Sequence, residues 1–171
     1  MAEEILTLMA DLDFENQVRM SGWYDALKMA GFGGQQTPGL PYHISMATFS
    51  VDKEAEAIEI TKKAAEEFSS FSLDFSHIGI FPGGKVLFCA PERNAQIDAL
   101  HEACDRESIH PFPWTPHATM LIDEPDVICA ALPVFLKSFS PFSAGIARLH
   151  LCAFWPTREI LSLDLKKTDG K

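Results

Sequence analysis

Signals for a membrane or a secretory destination are missing from this sequence. It contains no run of about 18 apolar residues, the length that a membrane-spanning helix requires. Its N-terminus, MAEEILTLMADLD, is acidic from the third residue and lacks the basic and apolar regions of a secretory signal. We therefore expect a cytoplasmic protein that has no membrane partner.

A basic surface and closely spaced cysteines are missing as well. Acidic residues outnumber basic ones by 24 to 14, which gives a formal net charge of -10, whereas a long nucleic acid requires a basic track. We expect no long nucleic-acid partner, although a short nucleotide or a small phosphoester in a locally basic pocket is compatible with this charge. The absence of a CxxC pair argues against a zinc knuckle or a redox site. We expect the cysteines to be buried as small apolar side chains: Cys89, Cys104, Cys129 and Cys152.

The chain does contain enough apolar sequence for one core. Its 171 residues, of which 47% are hydrophobic, are typical of a single domain over residues 1–171. Hydrophobic periodicity predicts the order strand, helix, strand, helix, hairpin, helix, strand, helix, hairpin, which indicates an α+β protein. Asp13 is expected to cap the first helix and Gly31 to end it.

Two parts of the chain follow the same order of elements. In each part a strand that contains a histidine precedes a helix and then an apolar hairpin. The members of the two sets are His43, helix 52–68 and hairpin 71–90, and His117, helix 125–138 and hairpin 144–166. This repetition predicts two similar halves that each contribute one histidine strand to a common cleft.

Both histidine strands place a hydroxyl two residues after the histidine. Side chains two apart on a strand share a face, so His43 and Ser45 project together while Ile44 turns the other way. The same alternation joins His117 to Thr119 in TPHATMLI. Two such faces across a cleft would form a site of two imidazoles and two hydroxyls.

This set of groups suits phosphodiester cleavage without a metal or another cofactor. One neutral imidazole can accept a proton from the attacking oxygen, and a protonated imidazole can donate a proton to the leaving oxygen. The hydroxyls can donate to the non-bridging phosphate oxygens. A single histidine on an apolar strand is more often a core residue, but none of the remaining histidines has a hydroxyl two residues later: His77, His101, His110 and His150.

YHISMATF and PHATMLI resemble the paired H-x-[ST] motifs of the two-histidine (2H) phosphoesterase superfamily, which includes bacterial 2'-5' RNA ligase-like proteins and cyclic phosphodiesterases. IGIFPGGKVLFCAP is similar to that family's hairpin before its middle helix. The resemblance implies two pseudo-twofold-related lobes of antiparallel sheet, with helices outside and a central cleft. It also implies metal-independent activity on 2',3'-cyclic phosphates, 2'-5' linkages or related nucleotide or RNA-end phosphoesters. Carried over by position, His43 and His117 are the catalytic pair, and Ser45 and Thr119 bind the phosphate.

Further contacts to a substrate are expected at the mouth of the cleft. Lys85 and Arg158 can supply positive charge there, and aromatic side chains can stack on a base. The aromatic candidates are Tyr42, Phe81, Trp114 and Trp155, each of which has core packing as its alternative role.

These observations predict an enzyme that acts on a small nucleotide or a short RNA end; the sequence leaves its oligomeric state open, with a monomer favoured. In hydrolysis His117 is taken as the base and His43 as the acid, although the pseudo-symmetry lets a substrate bind either way round. Two alternatives stay open. One is a protein that binds a nucleotide or a phosphorylated metabolite in the same pocket without turnover, and the other is a metal hydrolase that a chelator would inactivate.

Overall fold

The computed structural model describes residues 5–106 and 113–168. Its helices and strands, in chain order, are β1 Ile5–Leu12, α1 Phe14–Met29, β2 His43–Ser50, α2 Glu54–Glu67, β3 Phe71–Ile80, β4 Val86–Pro91, α3 Ala95–Cys104, β5 Ala118–Ile122, α4 Pro125–Ser138, β6 Phe142–Phe154 and β7 Arg158–Asp164. This order confirms the predicted α+β arrangement. His110 lies outside the described residues.

The strands form one seven-stranded antiparallel sheet in the order β1-β2-β5-β4-β3-β6-β7, and β6 also pairs with β1. The first part of β6, Phe142 to Ile146, pairs with β3, whereas the part from Ile146 to Phe154 pairs with β1. The sheet therefore consists of two four-stranded halves, β2-β1-β6-β7 and β5-β4-β3-β6, that share β6. At the other end, a single residue pair between β2 and β5 joins the halves.

Helix α1 begins and ends where its cap residues predict. The Asp13 side chain accepts a hydrogen bond from the backbone N–H of Asn16 at 3.0 Å, which satisfies a donor at the helix start. The Asn16 amide also donates to the carbonyl of Ser143 at 2.9 Å, so the cap ties α1 to β6. Gly31, with a φ of 95°, follows the last turn, as the left-handed position after a helix requires.

The core lies between one face of the sheet and the helices. Leu6, Leu8 and Ala10 alternate along β1 toward this core and are fully buried. Trp23 of α1 meets Phe135 of α4 at a ring-centroid distance of 5.8 Å. Burial of each large apolar side chain stabilises the fold by about 1.5–3 kcal/mol. The opposite face of β1 and β6 carries a second, smaller apolar cluster of Met9, Cys152 and Phe154.

Three of the four cysteines are buried, and helix α4 continues through a proline. Cys89, Cys104 and Cys152 are buried as expected, but Cys129 is exposed, because it lies on the side of α4 that faces away from the sheet. Pro133 does not end the helix. Because proline has no N–H, the carbonyl of Cys129, four residues earlier, lacks its helical hydrogen-bond donor. Both residues are exposed, so solvent can satisfy that carbonyl. Within residues 5–106 and 113–168, no helix is long and apolar enough to span a membrane.

Candidate active site

The contact between β2 and β5 brings the two histidine motifs together. Its residue pair is Ile44 with Ala118, both fully buried on the core side of the sheet. In an antiparallel pair, the residues one step to either side of a pair also face each other. The residues next to this pair are therefore His43 and Ser45 on β2, and His117 and Thr119 on the other strand. The four residues on this face of the sheet are His43, Ser45, His117 and Thr119.

Both imidazoles are held by the same backbone contact. The Nδ1 atom of His43 lies 2.7 Å from the carbonyl oxygen of Pro41, and Nδ1 of His117 lies 2.8 Å from that of Thr115. Because a carbonyl only accepts, Nδ1 carries a proton in each ring. The Nε2 atoms are thus left to exchange protons with a ligand. The proline within two residues of each motif was the sequence signal for this shared geometry.

Burial lowers the pKa of both histidines below the ordinary value. For His43 the neighbouring Pro41 carbonyl and Asp11 raise the pKa again, while His150 lowers it. For His117 the Thr115 carbonyl raises the pKa, and a charge on His43 lowers it. The two rings are therefore close enough to repel when both are protonated. Such a pair disfavours the state in which both rings are charged, whereas acid-base catalysis requires one imidazolium and one neutral imidazole.

The surroundings of the two rings differ. His117 lies against the rings of Phe81, at a centroid distance of 4.7 Å, and Phe88, at 5.2 Å. His43 instead has Asp11 of β1 as its cross-strand neighbour. One imidazole thus faces an aromatic wall and the other faces a carboxylate.

A cleft of about 1110 Å³ opens on this face of the sheet. Its wall includes His43, Ser45 and Thr119, together with residues of β1, α1, β6 and the loop before β2. His117 is not among the wall residues, and its ring lies against Phe81. The described residues contain no group of three or more His, Cys, Asp or Glu side chains placed to hold a metal ion.

A family model of the 2'-5' RNA ligase superfamily matches residues 16–154, which include both histidine motifs. The chain belongs to this superfamily. This match confirms the predicted resemblance to the 2H phosphoesterases.

Several solved structures share the fold of this chain. Escherichia coli LigT is 17% identical, with 97% of this chain and 100% of LigT covered and a TM-score of 0.65. LigT complexed with 3'-AMP is 16% identical over 97% of this chain and 100% of LigT, with a TM-score of 0.67. The TT0787 protein of Thermus thermophilus is 13% identical over 95% of this chain and 98% of its own, with a TM-score of 0.65. At these identities the likeness concerns the fold alone. No curated protein matches the chain.

In this superfamily member, two of the predicted substrate contacts lie in the cleft wall. Tyr42 is partly buried, and its burial raises the pKa of the phenol to about 12, so the hydroxyl is a donor at neutral pH. Trp155 is half exposed at the rim, where its Nε1 lies 3.4 Å from the hydroxyl of Thr37. Both side chains are available to a ligand in the cleft.

The two predicted cations do not lie in the wall. Lys85 Nζ is 2.9 Å from a carboxylate oxygen of Glu124, and Arg158 forms an ion pair of 2.6 Å with Glu54. These partners are distant in the sequence, so the ion pairs depend on the fold.

Two of the predicted aromatic contacts have packing roles. Trp114 donates from Nε1 to the carbonyl of Ser45 at 2.9 Å and stacks on His101, and so supports the backbone of β2. The ring of Phe81 lies against Phe88 and His117.

Three charged residues at the site were not predicted from the sequence. Asp11 of β1 pairs with His43 on one side and with Arg148 of β6 on the other. Arg148 is the one lysine or arginine among the described wall residues, and its Nε lies 3.1 Å from Asp164. His150 is buried next to Asp11. The alternation in RLHLC, which sets Arg148 and His150 apart from two leucines, was the available signal.

Proposed function

We propose that this protein is a phosphodiesterase that cleaves small nucleotide or RNA-end phosphoesters, such as 2',3'-cyclic phosphates or 2'-5' linkages. His43 and His117 act as the acid-base pair, and the reaction uses no metal ion. The observation that carries the proposal is the pairing of Ile44 with Ala118, which supports a site formed by the two histidine motifs because these residues are the neighbours of both histidines. Membership in the 2'-5' RNA ligase superfamily supports the phosphoester class.

The reaction needs one neutral and one protonated imidazole. The neutral Nε2 removes a proton from water as the water oxygen bonds to phosphorus. The bond from phosphorus to the leaving oxygen breaks, and the second Nε2 supplies that oxygen with a proton. A 2',3'-cyclic phosphate thus yields a phosphomonoester and a free hydroxyl. The hydroxyls of Ser45 and Thr119 donate to the non-bridging oxygens, where negative charge is concentrated in the transition state.

The charge of the cleft favours a substrate that carries few phosphates. Three aspartates line the wall, Asp11, Asp13 and Asp164, against the single cation Arg148 among the described wall residues. One phosphodiester can sit on hydroxyl and imidazole donors, whereas each further phosphate meets more of this negative charge. Solved structures of LigT complexed with 3'-AMP, ATP, phosphate and NADP+ support a small nucleotide as the ligand class.

Turnover of a 2',3'-cyclic nucleotide and of a 2'-5'-linked dinucleotide tests the proposal. We expect His43→Ala and His117→Ala each to lower kcat/KM by about 10²–10⁴-fold. Because the two groups act as a unit, the double variant should lose little more than either single variant. His77→Ala, which removes an exposed histidine paired with Glu92, is the matched control and should keep wild-type rates.

Two results would contradict this function. Loss of activity with a chelator would indicate the metal hydrolase, because the proposed reaction does not depend on a metal. Tight binding of the nucleotide in calorimetry, with no turnover that depends on either histidine, would indicate the binding protein instead.

A further inference from the structure

The backbone of β2 next to Ser45 receives little support from the neighbouring strands. On one side, β5 pairs with β2 through Ile44 and Ala118 alone, as far as the described residues go. On the other side, Met9 of β1 pairs with Ser45, and the register then skips Met46, which forms a bulge. The strand ladder by itself therefore does not fix the position of Ser45.

Two side-chain donors bind the carbonyls at this bulge. The Nε1 atom of Trp114 donates to the carbonyl of Ser45 at 2.9 Å. The Nδ1 atom of His101, on α3, lies 2.8 Å from the carbonyl oxygen of Met46 and carries a proton, because a carbonyl only accepts. The two rings stack at a centroid distance of 3.8 Å, with 6° between their planes. Each ring thus helps to hold the other donor against β2.

The same indole lies directly before the second histidine motif. Trp114 is followed by Thr115, whose carbonyl oxygen lies 2.8 Å from Nδ1 of His117. The guanidinium of Arg93 lies 5.6 Å from the centre of the indole ring and is paired with Asp98 at 2.9 Å, so it also restrains the indole. Trp114 therefore connects the backbone of one motif with the segment that orients the histidine of the other.

We propose that Trp114, supported by His101, is a positioning residue that fixes the separation of the two motifs and the direction of the Ser45 hydroxyl. This inference rests on the proposed function. Trp114 is not among the wall residues of the cleft, so it acts through β2 and not by contact with the substrate. Because a misplacement of about 1 Å can cost about 10²-fold in rate, its loss should affect the chemical step more than substrate binding.

Steady-state kinetics of Trp114→Phe on a 2',3'-cyclic nucleotide test the positioning role. Phenylalanine can still stack on His101 but has no N–H, so kcat should fall about ten- to hundredfold while KM stays within about twofold. Thr168→Val is the matched control and should keep its kcat. It removes a side-chain donor to the carbonyl of Ser70, outside both motifs and the cleft wall. An unchanged kcat in Trp114→Phe, or a loss carried by KM alone, would overturn the proposal.

A double-variant cycle with Ser45→Ala separates positioning from a general loss of structure. Once the Ser45 hydroxyl is absent, Trp114→Phe should lower kcat by a smaller factor than in the wild type, because the group that it places is missing. Equal factors in the two backgrounds would indicate a merely structural role and would overturn the proposal. His101→Phe removes the second donor and keeps a ring for stacking, so the same cycle with this variant decides the question if Trp114→Phe does not fold.

NMR provides a test that needs no turnover. The indole N–H of Trp114 should exchange with solvent more slowly than that of the half-exposed Trp155. The imidazole C2 protons of His43 and His117 should shift in Trp114→Phe and stay in place in Thr168→Val. Fast exchange, or imidazole signals that do not move, would overturn the proposal. A wild-type protein inactive on cyclic nucleotides and on 2'-5'-linked dinucleotides would refute the proposed function, while these NMR measurements would still decide whether Trp114 positions the two motifs.

Discussion

The buried pair of His150 and Asp11 should make the protein less stable as the pH rises above neutrality. Asp11, followed by Cys152, raises the pKa of His150 to about 10, against about 6.5 in an unfolded chain. Between these values the folded state keeps a proton that the unfolded state has released. Because the unfolded state binds fewer protons, the free energy of unfolding falls with increasing pH in this window.

The size of the effect follows from the same difference. One proton gives a slope of at most about 1.4 kcal/mol per pH unit, or roughly 3 kcal/mol between pH 6.5 and 8.5. Glu159, which also contacts His150, is 68% exposed and screened by solvent, so a loss of about 1–2 kcal/mol is the expected result. Above this range other groups interfere, since burial raises the pKa of the Cys89 and Cys104 thiols to about 12.

Urea unfolding monitored by tryptophan fluorescence provides the assay, at constant ionic strength and at several values between about pH 6.5 and 8.5. The wild-type protein should lose stability steadily across the series. His150→Gln removes the titrating group, so its free energy of unfolding should not fall across the same range; the lowered pKa values of His43 and His117 should instead make it rise slightly near pH 6.5. Equal slopes for the wild type and His150→Gln would refute the reasoning.

Three further predictions concern the site and its support. In Gly79→Ala the new Cβ would lie 2.5 Å from the ring of Phe88, which packs on His117, so kcat should fall about ten- to hundredfold in steady-state assays. Gly22→Ala, with nothing within 4 Å, is the control and should keep its rate. Burial lowers the pKa of both site histidines, so kcat/KM should be maximal below about pH 6.5, and a maximum well above pH 7 would contradict this. Asp13→Ala removes the α1 cap and should cost about 1–2 kcal/mol in urea unfolding; unchanged stability would argue against the cap.

The strands were predictable from their apolar content and, where one face is less buried, from alternation. ILTLMADL is buried over nearly its whole length, HISMATFS alternates in burial at its start, and both stretches form strands that match the prediction. The division of β6 between two neighbours was not predictable. Its 13 residues look continuous in the sequence, and only the pairing with β3 at one end and β1 at the other shows that the halves share it.

The candidate site was partly predictable for the same reason. The spacing of His43 with Ser45, and of His117 with Thr119, predicted that each pair shares a face, and the register between β2 and β5 brings the pairs together. Their catalytic role stays a prediction. Lys85 was chosen only for its charge, and its partner Glu124 is 39 residues away, so no local pattern could reveal their ion pair.

An acid-base pair needs two imidazoles that are equivalent in position and different in charge. The motifs themselves supply the equivalence, because each Nδ1 is fixed by the carbonyl two residues earlier and each Nε2 is left free. The difference comes from their surroundings, since β1 sets Asp11 in register with His43 and the rings of Phe81 and Phe88 lie against His117. The residues that distinguish the two imidazoles therefore lie outside the two motifs, which explains why the motifs alone leave the order of proton transfer open.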